Sequence, residues 1–151
     1  EPFAKPLKDM MVALGVPPKY VFGSKEDKEA PLDILCGRSA RYAMRTLGTE
    51  WGRNLISPNF WVHHWKRRAY GRLVVADDVR FENEVVAIEE LHGLVIRIEG
   101  RGKDSGEHPS DMASQLKVHA VVQNDGTLDD LLTKVLEATD LFKIRERAVA
   151  Q

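Results

Sequence analysis

Apolar residues in the first half of the chain recur at helical spacing. The first such set is Phe3, Leu7, Met10, Met11 and Leu14. Gly15, followed one residue later by two prolines, marks the end of the helix that these positions predict. Two further helices are expected, over 39–47, where Gly48 would end the helix, and over 60–70. The pattern therefore predicts a helical part over 17–72.

From Arg72 onward, short apolar runs alternate with helical segments. Three strands are expected, over 73–76, 94–98 and 118–122. Helices are expected over 83–91, near Pro109, and after Thr127, a residue suited to an N-cap. The alternation predicts an α/β fold with a mainly parallel sheet and helices on both faces, a three-layer α/β/α arrangement. Ligands of such sheets bind beyond the carboxyl ends of the strands.

Composition narrows the class of protein. The chain of 151 residues is 43% hydrophobic and 30% charged, with a net charge of -1, which is typical of a single globular domain over 1–151. A chain without a global basic field is not expected to form a stable nucleic-acid complex. Cys36 is the sole cysteine, so no internal disulfide forms and a cytoplasmic location is expected. No apolar run reaches the roughly 20 residues of a membrane span.

Two acids close the first expected strand. Asp77 and Asp78 would face the ligand crevice, where a carboxylate can hold Mg²⁺ directly or through water. Arg80 follows two residues later and brings a cation to the same loop. Two plainer interpretations stay open: an ordinary turn after a strand, or an ion pair between Asp78 and Arg80.

Arginines also share one face of the 39–47 helix and its approach. Arg38, Arg41 and Arg45 fall at positions i, i+3 and i+7, and a planar guanidinium suits phosphate. Arg53 ends the run 48–53, in which two glycines bracket an acid and an aromatic residue and suggest a shaped loop near a ligand. A solvated basic face is the alternative.

Two other segments carry weaker signals. The run 63–68 mixes aromatic and basic residues and could grip nucleic acid, although a solvated amphipathic helix is favoured. The 100–107 loop, with Arg97 before it and Arg101 and Lys103 within it, is either a lid over phosphates or a plain surface loop.

These segments together resemble the phage deoxynucleoside monophosphate kinase family over nearly the whole chain. The resemblance lies in Phe3-Ala4-Lys5-Pro6-Leu7-Lys8, Leu47-Gly48-Thr49-Glu50-Trp51-Gly52-Arg53, Asp77-Asp78-Val79-Arg80-Phe81 with Asn83-Glu84, His108-Pro109-Ser110-Asp111 and Asn124-Asp125-Gly126-Thr127-Leu128. It implies a P-loop NTPase-like fold, in which Mg-ATP donates its γ-phosphoryl group to a nucleoside monophosphate.

The resemblance also implies roles for individual residues. The acceptor nucleotide would be bound by Arg41, Arg45, Gly48, Thr49, Glu50, Trp51 and Arg53. The catalytic centre would contain Asp78, Arg80 and Arg101, with Mg²⁺ at Asp77 and Asp78 through water. The ATP donor would lie near Arg97, Asn124, Asp125 and Gly126, and the lid would span 100–115.

One departure from the family is large. The family opens with a strand and a Gly-rich phosphate-binding loop, and the pattern G-x-x-x-x-G-K-S/T is absent here. We therefore expect that strand and loop to be missing from this chain, and the chain alone to be inactive. Arg45 stands where an amide is common, and Asp111 where glutamate is more frequent. A non-catalytic nucleotide-binding module and a nucleic-acid-binding domain remain alternatives, and a homodimer stays open.

Overall fold

A computed structural model describes residues 1–100 and 115–149, with side chains as far as residue 140. The chain forms two compact units, Glu1–Val79 and Arg80–Gln151. The single domain expected from chain length stays a prediction. In the described residues, no helix is both long enough and apolar enough to cross a membrane.

The first unit is built from helices. Its α-helices are α1 (Lys5–Ala13), α2 (Pro18–Phe22), α3 (Lys25–Glu29), α4 (Ala40–Thr46) and α5 (Phe60–Ala69), and a π-helical segment (Leu47–Ile56) lies between α4 and α5. A short antiparallel pair, β1 (Pro31–Leu32) and β2 (Arg38–Ser39), flanks a 3-10 turn at Asp33–Leu35. Its core cluster contains Met11, Val16, Val21, Leu32 and Ala40.

The three helices predicted in this unit are confirmed, and their ends follow local chemistry. The hydroxyl of Ser39 accepts the backbone N–H of Tyr42 at 3.2 Å, so α4 begins with a side-chain cap. Gly15 follows α1 with φ at +89°, a conformation that a side chain disfavours. The pair β1–β2 was not predicted, because two residues are too few to show alternation.

The prediction that Gly48 ends the helical backbone after α4 was wrong. The backbone stays helical through Ile56 with a wider turn, and the N–H of Ser57 still donates to the carbonyl of Gly52, five residues back, at 3.0 Å. The 48–53 run is therefore a helical segment rather than the loop that its glycines suggested. Glycine weakens a helix by only about 1 kcal/mol, which tertiary contacts can outweigh.

The strand expected over 73–76 does not form. Leu73 is fully exposed and Val75 is 79% exposed, and none of the strands in the described part of the chain pairs with this segment. An apolar run becomes a strand only where a neighbouring strand completes its hydrogen bonds. The apolar composition of 73–76 does not reveal whether a pairing strand is present, so the prediction was wrong.

The second unit contains the parallel pairing that the alternation predicted. It comprises α6 (Glu82–Glu89), β3 (Ile96–Glu99), β4 (Ala120–Gln123) and α7 (Leu128–Val149). Strands β3 and β4 run parallel, with Ile96 opposite Ala120 and Glu99 opposite Gln123. The described residues are thus compatible with an α/β fold and contain one parallel pair, where three strands of a mainly parallel sheet between helical layers were expected.

The cap predicted at Thr127 is confirmed. Its hydroxyl accepts the N–H of Asp130 at 3.2 Å, and the Asp130 carboxylate accepts the N–H of Thr127 at 2.8 Å. The helix expected near Pro109 lies outside the described residues.

Candidate functional site

Asp78 holds the start of α1. Its two carboxylate oxygens accept the backbone N–H groups of Phe3 at 2.8 Å and of Ala4 at 2.9 Å. Those N–H groups precede the first helical turn and have no partner within the helix. Each oxygen keeps a second lone pair for another donor, such as a water bound to a metal. Asp78 therefore has a structural partner and retains capacity to bind one more group.

Asp77 and Asp78 could hold magnesium only with water molecules and substrate phosphates as the remaining ligands. The described residues contain no group of three or more His, Cys, Asp or Glu side chains able to surround a metal ion. Asp77 is exposed and Asp78 is half-buried. Magnesium keeps several waters and commonly uses one or two carboxylates together with substrate phosphates. Asp77 and Asp78 fit such a site, in which the carboxylates would contact a magnesium ion through its bound waters.

Arg80 stands at the entrance to α6. The backbone N–H groups of Arg80 and Phe81 both donate to one oxygen of Glu84, at 2.7 and 3.2 Å, and Glu84 is buried. This contact anchors the backbone while the arginine side chain stays exposed. Arg80 also lines a shallow open pocket with Phe81, Glu82, Gln115 and Leu116.

The arginines around α4 have protein partners. Nε of Arg41 lies 3.3 Å from the Glu29 carboxylate, and the guanidinium of Arg38 lies over the Tyr42 ring at 4.9 Å. Arg45 is half-buried. The Arg41–Glu29 pair is about 40–50% exposed on both sides, so it contributes little stability, and an incoming phosphate could compete for Arg41.

The π-helical segment divides the acceptor candidates between two faces. Gly52 and Arg53 are buried, and Nη1 of Arg53 donates to the carbonyl of Pro58 at 3.0 Å. Glu50 and Trp51 are exposed, and Gly48 and Thr49 are half-buried. Glu50 and Trp51 can therefore meet a ligand directly, whereas the side chain of Arg53 lies mainly within the protein.

An aromatic cluster covers the end of this segment. The Trp51 ring stands edge-on to Phe60 with centroids 5.4 Å apart, and Phe60 contacts Trp61 and His64 in the same manner at 4.8 Å. Trp61 is buried, and sequence reasoning missed it. Its only sequence signal is an aromatic residue at the start of a helix, nine positions after Gly52.

Trp65, the tryptophan of the 63–68 run, is not exposed for stacking on nucleic acid. Trp65 is buried, and its ring stacks on Phe3 with centroids 4.4 Å apart. Arg68 is half-buried, and its guanidinium donates to the Glu1 carboxylate at 3.0 Å. The central aromatic residue of the run, Trp65, therefore packs in the interior, as expected for an amphipathic helix.

The donor candidates gather at the carboxyl ends of β3 and β4. Gly100 has φ at +113°, and a Cβ there would lie 2.8 Å from the Asn124 carbonyl oxygen. The N–H of Asn124 donates to the Glu99 carbonyl at 2.6 Å, so the two loops lie against each other. Nζ of Lys134 donates to the Asp125 carboxylate at 2.6 Å and lowers the pKa of Asp125. Gly126 completes the turn before α7.

Arg97 is engaged along β3. Its Nε donates to the Glu99 carboxylate and its Nη1 to the Leu116 carbonyl, both at 2.9 Å. The Arg97 hydrogen bond, helped by one from Gln123, lowers the pKa of Glu99. Arg97 therefore links β3 to the segment before β4 by hydrogen bonds. The Arg97 guanidinium could bind a phosphate only after its hydrogen bond to Glu99 breaks.

Comparison with known proteins identifies the family. A protein of Acanthamoeba polyphaga mimivirus, named "Putative deoxynucleotide monophosphate kinase", is 30% identical over 156 residues, which cover 91% of this chain and 81% of the relative. This chain belongs to the deoxynucleotide monophosphate kinase family. No protein-family model matches it, and no solved structure matches it significantly.

Membership of the kinase family confirms the resemblance drawn from the sequence at the level of the family. The roles of individual residues stay predictions. The 48–53 candidates lie on one helical segment, and Asn124 lies against Gly100. Arg101, Lys103 and nearly all of the 100–115 lid lie outside the described residues.

Proposed function

We propose that the full-length protein transfers the γ-phosphoryl group of Mg-ATP to a deoxynucleoside or nucleoside monophosphate and forms the diphosphate, within nucleotide metabolism. The observation that carries the proposal is the relationship to the mimivirus protein, which extends over 91% of this chain. Glu50 and Trp51, which the resemblance assigns to the acceptor, are exposed on one helical segment and could reach a nucleotide.

The proposed reaction needs no covalent intermediate. An oxygen of the acceptor phosphate attacks the γ-phosphorus, a new P–O bond forms, and the bond to the β-phosphate oxygen breaks as ADP leaves. Catalysis then consists of holding the two nucleotides in line and neutralising the charge on the moving group. Magnesium bound with ATP would supply positive charge to the phosphates, and Asp77 and Asp78 are the residues that would hold it through water.

The chain's own residues would bind and orient the two substrates. Arg41, Arg45 and Arg53 are proposed for the acceptor phosphate, of which Arg41 is the most accessible because it holds only a weak surface pair. Asp78 would orient the acceptor or a magnesium-bound water through its remaining lone pairs. Arg80, Arg97 or Arg101 would stabilise the transferring charge. The pattern G-x-x-x-x-G-K-S/T is absent, so the grip on the donor β- and γ-phosphates is assigned to none of the 151 residues.

A coupled kinase assay tests the proposal. The full-length gene product is supplied with Mg-ATP and each common deoxynucleoside and nucleoside monophosphate, and ADP formation is followed. Turnover with at least one monophosphate, at about 1–100 per second, is expected. Monophosphate binding without turnover would favour the alternative, a non-catalytic nucleotide-binding module. If the protein showed no binding and no turnover with any monophosphate, both the kinase and the binding-module interpretations would be refuted.

A further inference from the structure

We propose that Trp61 is the positioning residue of the π-helical segment and sets the direction in which that segment presents Glu50 and Trp51 to the acceptor nucleotide. The inference rests on the proposed assignment of this segment to the acceptor. Trp61 is the second residue of α5, and only 5% of it is exposed. It therefore acts through the residues of the segment and does not itself touch a substrate.

One indole ring contacts both glycines of the segment. Its Nε1 donates to the Gly48 carbonyl at 2.8 Å. A Cβ on Gly52 would lie 2.5 Å from that same nitrogen and 2.7 and 2.8 Å from two ring carbons, closer than real side chains approach. The absence of a side chain at Gly52 is therefore what admits the ring. Gly52, which the sequence suggested makes room for a ligand, in fact makes room for Trp61, while Gly48 supplies the carbonyl that accepts the indole N–H.

These contacts control how the segment is turned about its own axis. The ring is held on the face of Gly48 and Gly52, so Arg53 is buried beside that face while Glu50 and Trp51 remain exposed. π-Helical turns are uncommon and often occur at functional sites, because they redirect side chains relative to an ordinary α-helix. Without the indole, the segment can relax toward α-helical pairing, and its exposed side chains would then point elsewhere.

The first test removes the indole hydrogen bond and keeps an aromatic ring. Trp61→Phe leaves the Gly48 carbonyl without this donor, and Trp65→Phe is the matched control. Trp65 lies one turn later on the same helix, is equally buried, and donates its Nε1 to the carbonyl of Glu1, also at 2.8 Å. Both variants lose one indole–carbonyl bond, but only the first loses it from the acceptor segment.

We expect Trp61→Phe to raise the acceptor KM of the full-length protein about three- to tenfold, the range that corresponds to one net hydrogen bond. The kcat should stay within about twofold, because donor binding and the chemical step do not involve this ring. Trp65→Phe should leave both constants unchanged. Thermal melting of each variant, followed by circular dichroism, separates loss of fold from loss of position.

A second test uses the close approach at Gly52. Gly52→Ala should weaken acceptor binding by about tenfold or more while Trp61 is present, because the methyl group collides with the ring. In a Trp61→Leu background the colliding ring atoms are gone, so Gly52→Ala should then change binding by less than about twofold. Such non-additivity is expected only if the two residues act as a unit.

The outcomes separate the two proposals. If the wild-type protein neither binds nor phosphorylates any monophosphate, the proposed function fails, and the role of Trp61 fails with it. If the wild type is active but Trp61→Phe keeps the normal acceptor KM, or if kcat and KM change equally in both tryptophan variants, the positioning role alone is overturned. Should Trp61→Leu not fold, Trp61→Phe still decides the matter.

Discussion

Asp78→Asn tests the structural part that Asp78 plays at the start of α1. The aspartate accepts two backbone N–H groups, one on each oxygen, at 2.8 and 2.9 Å. Asparagine has the same shape but offers one oxygen and one NH2 group. One of the two N–H groups would therefore lose its acceptor and face a second donor, and the remaining bond would lose its charge.

The magnitude follows from those two contacts. A hydrogen bond to a charged group contributes about 1.5–3 kcal/mol, and loss of a helix cap typically costs about 1 kcal/mol. The contacts are only partly buried, so we take a value near the lower end, about 2 kcal/mol. For a chain of this length, each kcal/mol lowers Tm by about 4 °C. The expected decrease for Asp78→Asn is thus about 8 °C.

The assay is thermal unfolding by circular dichroism, with Asp77→Asn as the control for stability. Asp77 is the exposed neighbour, and its substitution should change the free energy of unfolding by less than about 0.5 kcal/mol. A Tm for Asp78→Asn within about 2 °C of the wild type would refute the capping role. If Asp78 also serves catalysis, turnover per folded molecule in the full-length protein should fall as well, beyond the loss explained by unfolding.

Three further predictions concern separate parts of the chain. Arg53→Ala removes a buried guanidinium that donates to the Pro58 carbonyl, so urea unfolding should show a loss of about 1–3 kcal/mol, whereas Arg67→Ala on the exposed face of α5 should show almost none. Hydrogen bonds from Thr127 lower the pKa of Asp130, so the stability that Asp130 contributes is complete above the ordinary aspartate pKa and is lost as the pH falls through the lowered pKa. The Tm difference between wild type and Asp130→Ala should therefore narrow in acid. A difference that stays constant with pH would contradict this. The 151-residue chain alone should show no measurable phosphoryl transfer, because it contains no Gly-rich phosphate-binding loop; turnover of about 1–100 per second from the purified chain would disprove that expectation.

Predictions from the sequence succeeded for features that depend on residues close together in the chain. The helices around Leu7 and Trp65 were predicted from spacing within ten residues, and the cap at Thr127 from the chemistry of one side chain. The parallel pairing of β3 with β4 followed from alternation of strands and helices. Each of these depends on hydrogen bonds or packing that the neighbouring residues largely dictate.

The candidate site was predicted less completely, because its residues are shared with distant parts of the chain. Arg41 has a partner on α3, and Arg53 lies inside the protein although it was expected to face a phosphate. Asp78 was expected at a strand end, yet it binds backbone groups more than seventy residues away. Such partners leave no periodic trace in the sequence.

The amino-acid sequence alone determined the helical first half, the α/β alternation of the second and the similarity to a nucleotide kinase family, since these depend on spacing, caps and the order of short motifs. Only the tertiary structure decided two matters. The run 73–76 has strand composition but no neighbouring strand, so it remains unpaired. The run 48–53 has the glycines of a loop but stays helical, because the ring of Trp61 fills the space at Gly52 and donates a hydrogen bond to the Gly48 carbonyl. In both cases the deciding partner lies outside the segment, and propensity of about 1 kcal/mol per residue is too small to oppose it.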